Sequence, residues 1–111
     1  MANESIPHAV AVNLKHEKYD VFIGRPSVWG NPFYLTKQTT RAAVIDRYRQ
    51  WIWTQPKLLG RLQELRGKRL GCYCSPLPCH GDVLAEMANM LTDEEISTAM
   101  RLVVTEATNA E

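Results

Sequence analysis

Two stretches of this chain can belong to neither helix nor strand, and they dictate how the rest must be laid out. Gly24 to Phe33 reads GRPSVWGNPF, with two prolines and two glycines in nine positions, and the proline after Asn31 holds that residue extended. Gly71 to Asp82 reads GCYCSPLPCHGD and holds all three cysteines of the protein within eight residues. Each stretch follows a short run with strand character and precedes a segment with helical periodicity. That order is the signature of an α/β domain.

The periodicities fill in the remainder. His8 to Leu14 alternates at Val10, Val12 and Leu14, and Tyr19 to Ile23 reads as a second strand. The short polar interval between them suits an antiparallel hairpin. Val44, Ile45, Tyr48, Trp51 and Ile52 recur on one face of a helix capped by Thr39 or Thr40. Pro56 opens a shorter helix carrying Leu58, Leu59, Leu62 and Leu65, which Gly67 ends. Arg69 to Cys74 is the third strand. Val83, Leu84, Met87, Met90 and Leu91 mark a further helix. Thr92-Asp93-Glu94-Glu95 matches a capping box for a last one, with Ile96, Met100 and Val103 inward. The expected architecture is a small mixed sheet of about three strands: the hairpin plus a parallel strand reached through a helical crossover, with helices packed on it.

At 111 residues the chain supports one hydrophobic core, so residues 1–111 read as one domain, with 1–7 and 107–111 expected to be flexible. The net charge of +1 provides no footprint for duplex nucleic acid. The local basic clusters, Arg61, Arg66, Lys68 and Arg69 and then Arg41, Arg47 and Arg49, read as solvated helix faces. No apolar run is long enough to cross a bilayer, and the first residues lack a secretory pattern. The expected location is the cytoplasm, where thiols stay reduced.

The parallel crossover has a consequence for function. It brings both irregular loops out at the carboxyl ends of neighbouring strands, the edge where open α/β sheets bind ligands. Arg25 offers a bidentate cation for phosphate or carboxylate, and Trp29 a flat face for a base or sugar. Asn31 supplies a donor and an acceptor. Ser27 reads as a turn-former first. The helix that starts near Cys79 adds first-turn amides, Gly81 among them, which favour an anion or a thiolate. Turn formation and core filling are the plain alternatives for Arg25, Trp29 and Asn31.

The cysteine cluster admits three readings. Cys72, Cys74, Cys79 and His80 match a Cys3His zinc set, although adjacent ligands at positions 79 and 80 are unusual. Cys79 at a helix start beside His80 matches an activated thiolate, with Asp82 orienting the imidazole or accepting a proton. In the third reading the thiols are small buried hydrophobes.

Four strings carry a resemblance: Ile23-Gly24-Arg25-Pro26-Ser27, Trp29-Gly30-Asn31-Pro32-Phe33, Gly71-Cys72-Tyr73-Cys74 and Pro76-Leu77-Pro78-Cys79-His80-Gly81-Asp82-Val83-Leu84. Together they resemble the signature of a small domain family of unknown function found in bacteriophages, bacteria and some fungi, over approximately Val10 to Asn89. The resemblance implies a free-standing cytoplasmic domain, frequently phage-encoded, and supplies no reaction. The functional expectation is a site that binds or processes a nucleotide or another small phosphorylated anion, with zinc as the candidate cofactor. The rival is a zinc-stapled, non-catalytic phage module that docks on a host protein.

Overall fold

The computed structural model describes residues 8–75 and 77–109. The segments 1–7 and 110–111, expected to be flexible, lie outside the described residues. Three strands form the sheet: β1 (Val10–Asn13), β2 (Val21–Phe22) and β3 (Arg69–Cys72). Their order is β1-β3-β2, and both pairings are parallel. The expected parallel neighbours β2 and β3 are therefore adjacent.

The antiparallel hairpin is corrected. The chain leaves β1 bonded to the carboxyl end of β3, with Leu14 N donating to Cys72 O at 3.0 Å. It returns at the amino end of β3, where Asp20 N donates to Arg69 O at 2.8 Å. The segment between runs back over β3 and seats Tyr19 on Gly71, where a Cβ would lie 2.7 Å from Tyr19 Cγ. The interval has hairpin length, but a side-chain-free residue in the central strand lets it serve as a return path instead. Pairing through β3 also gives the backbone of both outer strands a hydrogen-bonding partner on that side.

Helices cover the other face. α1 (Arg41–Ile52) is capped by Thr40, whose hydroxyl accepts from Ala43 N. The expected single helix from Pro56 is two pieces, α2 (Pro56–Leu59) and a 3-10 turn at Leu62–Leu65, parted at Gly60. Gly67 ends this region with φ 72°, a left-handed backbone suited to glycine. α3 (His80–Met90) packs on β1 and β3. The capping box forms as expected, Glu95 N donating to Thr92 Oγ1 and Thr92 N to Glu95 Oε1. It opens α4 (Asp93–Asn109), which runs through the residues expected to fray.

Leu70 and Cys72, two apart on β3, face α3 and α1 along with Ile23 and enter a core that includes Tyr48, Ile52, Leu59, Leu62 and Leu84. Full burial of each such aliphatic side chain is worth about 1.5–3 kcal/mol. Met90, expected on the packed face of α3, is 70% exposed. Arg66 joins the two last helices by donating to Ala88 O, Leu91 O and Asp93 Oδ1. It is thus a structural clamp as well as a surface charge. Among the described residues, no helix is long and apolar enough to cross a membrane.

Candidate functional site

The two irregular loops meet. Gly24, Arg25, Asn31 and Phe33 from the first, and Cys72, Tyr73, Cys74, Cys79 and His80 from the second, line one pocket of about 390 Å³. The adjacency of β2 and β3 puts them there, because each loop leaves the carboxyl end of one of those strands. α1 closes the third side with Arg41, Val44 and Ile45. The volume falls in the range of small-molecule sites.

The first loop is organised by its own polar groups. Ser27 N donates to Gly24 O, and Ser27 Oγ accepts from Trp29 N at 3.3 Å. Asn31 Oδ1 accepts from Phe33 N at 2.8 Å, while Asn31 O receives Arg25 Nη1 at 3.2 Å. The Arg25 guanidinium lies 4.0 Å from the centre of the Tyr34 ring, which holds it by cation–π attraction without neutralising its charge. Trp29 is buried in the core, outside the pocket lining, and its carbonyl receives the Tyr48 hydroxyl at 2.8 Å. It therefore anchors the loop to α1, and Ser27 shapes the turn.

The second loop differs from the expectation of a free helix N-terminus. Cys79 is the N-cap of α3, with its Sγ accepting from Gly81 N at 3.3 Å. Asp82, three residues on, accepts from Cys79 N at 3.1 Å, closing a capping box. The helix end thus already holds a carboxylate of its own, which weakens its pull on a second anion. Gly81 is buried, where an added Cβ would meet Ile23 and Ala11. It permits close helix–sheet contact and lies outside the pocket lining, as does Asp82.

β3 stops at Cys72, so Cys74 sits in the bend beyond the strand rather than two places along it. Cys72 and Cys79 are buried with their sulfurs 3.5 Å apart, and Cys74 is half-buried. Burial pushes the Cys79 thiol up to about 12, and the neighbouring Cys72 adds to the shift. The group is a protonated thiol at neutral pH, which opposes the activated-thiolate reading.

His80 is half-buried and edge-on to the Tyr48 ring, with centroids 5.0 Å apart. Its Nε2 lies 2.7 Å from Ile23 O. A carbonyl only accepts, so Nε2 carries a proton. Burial lowers the imidazole's affinity for a second proton, the Ile23 bond opposes this, and the positive charge of Arg25 adds to the lowering. The ring is therefore neutral at neutral pH, with the proton on Nε2 and the lone pair on Nδ1. This same bond takes Nε2 out of any metal set. Among the described residues, no three His, Cys, Asp or Glu side chains are grouped to hold a metal ion. As arranged, Cys72, Cys74, Cys79 and His80 do not converge on one centre.

Sequence reasoning missed Arg41 and Leu35 as pocket residues, whereas Phe33 and Tyr73 fall within the two loops expected to build the site. Arg41 sits at the start of an ordinary amphipathic helix, and its Nη1 donates to Pro78 O at 3.3 Å. The bond ties α1 to the cysteine loop, and no sequence spacing signals it.

The molecule is thus defined as a parallel three-stranded α/β domain with a two-arginine pocket at the carboxyl edge of its sheet. The chain belongs to the family described as a domain of unknown function, DUF4326, which matches residues 11–90. It is also 37% identical over 89 residues to the uncharacterized 12.4 kDa protein in the nrdA-td intergenic region of Enterobacteria phage T4, covering 76% of this chain and 81% of that protein. No solved structure matches the chain at a significant level.

Proposed function

We propose that the pocket binds a small phosphorylated ligand of the nucleotide class and that Arg25 and Arg41 hold its phosphate. The observation that carries this reading is the charge pattern of the lining. Two arginines reach the pocket, His80 is neutral, and no Asp or Glu is among the described lining residues. Among the described residues, carbonyls are the only hydrogen-bond partners of the two guanidinium groups, so no described carboxylate offsets either charge and spare N–H donors are left for an anion. Phe33, Leu35, Val44 and Ile45 supply apolar wall suited to a planar ring. The two loop strings, which both lie inside residues 11–90, are on this reading the family's signature because they build the pocket.

Calorimetry on the full chain with adenosine 5′-monophosphate, adenosine and inorganic phosphate tests this. The phosphate-bearing probes should bind and adenosine should bind far more weakly. Arg25→Ala and Arg41→Ala should each weaken binding about tenfold to a hundredfold, the equivalent of one charge-assisted hydrogen bond, with unchanged far-ultraviolet circular dichroism. Equal affinity for adenosine and its monophosphate, or arginine variants that lose fold and binding together, would refute the assignment.

The second reading is a docking module for a host protein. Its support is the exposed apolar rim formed on the same loops by Val28, Tyr34, Leu35, Tyr73 and Leu77, each more than half exposed. Binding by none of the three probes to a folded chain would favour it. Zinc in either reading would use the free Nδ1 of His80, with Nε2 kept on Ile23 O, and requires the thiols to draw together around it; elemental analysis of protein purified without chelator measures it directly.

A further inference from the structure

The pocket wall contains two thiols that the binding proposal leaves unused. Cys72 closes β3 and Cys79 caps α3, with their sulfurs 3.5 Å apart and each side chain no more than 3% exposed. The Cys72 thiol donates to Val12 O, and the Cys79 thiol is directed at Cys72 Sγ. Both residues line the pocket, so a reagent that enters it meets them despite their burial in the protein. The separation exceeds a disulfide bond by only about 1.5 Å. Both residues sit at element ends joined by an irregular loop, which can take up that movement without repacking the core. Cys74 lines the same pocket, but the sulfur–sulfur contact does not include it.

We propose that Cys72 and Cys79 form a reversible disulfide, making one wall of the pocket a redox-responsive element. With hydrogen peroxide as oxidant, one sulfur attacks a peroxide oxygen, the O–O bond breaks, and a sulfenic acid forms with release of water. The second thiol then attacks the sulfenic sulfur, loses its proton and expels the hydroxyl as a second water. Two thiols and one peroxide thus give one disulfide and two waters, and an external dithiol reverses the change. The bond would draw Cys79 Sγ from Gly81 N, loosening the first turn of α3 next to His80. The burial that holds Cys79 as a thiol makes the reaction slow at neutral pH and faster in mild alkali.

The test treats the folded full chain with peroxide at mildly alkaline pH, removes the peroxide, unfolds the chain and counts thiols by iodoacetamide alkylation and peptide mass. One alkylated cysteine, Cys74, and a linked Cys72–Cys79 peptide are expected, and dithiothreitol should restore all three thiols. Cys74→Ser should leave the linkage intact. Cys79→Ser keeps an oxygen acceptor at the N-cap and should abolish the linkage without unfolding the chain. A dominant bond to Cys74, or three surviving thiols under conditions that oxidise the unfolded chain fully, would overturn the proposal.

Discussion

His80 shows how much one backbone contact decides. The bond from Nε2 to Ile23 O sets the tautomer, and burial keeps the ring neutral. Because the folded state holds that proton less readily than the unfolded chain, stability is unaffected well above the ordinary imidazole value of 6.5. As pH falls through 6.5, the unfolded chain gains a proton that the folded chain refuses, and stability drops. Urea titrations between about pH 8 and pH 5 should show this decline, and His80→Gln should flatten it by removing the titrating group. A wild-type curve that is flat, or that rises on acidification, would contradict a buried neutral imidazole. The presence of His80 and Cys79 in a built loop was legible from their density between prolines. Their protonation states were not, because those depend on what buries them. Arg41 was invisible for a related reason: its role comes from a contact with Pro78, 37 residues away in sequence.

At the scale of elements, the sheet depends on Gly71. Its missing side chain lets the segment from Leu14 to Asp20 lie across the central strand. Gly71→Ala should destabilise the protein by about 1–3 kcal/mol, the usual range for forcing extra volume into a filled site, as measured by chemical denaturation. Tyr19→Ala should recover much of that loss in the double variant, because the clash is with the Tyr19 ring. Equal losses with and without Tyr19 would place the strain elsewhere. Helix starts were the most legible elements, since Thr40, Pro56 and Thr92 act through bonds or ring geometry within their own first turn. Strand pairing was legible only in part. The parallel relation of β2 and β3 follows from the crossover length, whereas β1 was assigned to the wrong neighbour because loop length records how far a chain can reach and not where it goes.

For the whole molecule, the pocket and the core share their walls: Val44, Cys72 and Cys79 belong to both the buried set and the pocket lining. The site is therefore as rigid as the packing behind it. Treatment with a strong chelator should leave the melting temperature unchanged, whereas a cooperative loss of fold would identify the cysteine cluster as a zinc staple. The sequence by itself determined the α/β class, the helix boundaries set by local caps, and the convergence of the two loops at one sheet edge. Each of these follows from short-range chemistry or from the reach of a crossover. Only the tertiary structure decided the strand order, the pairing of Cys72 with Cys79, the role of Trp29 as an anchor and the entry of Arg41 into the pocket. These are contacts between residues far apart in the chain, and burial and hydrogen bonding select them only once the whole fold has closed.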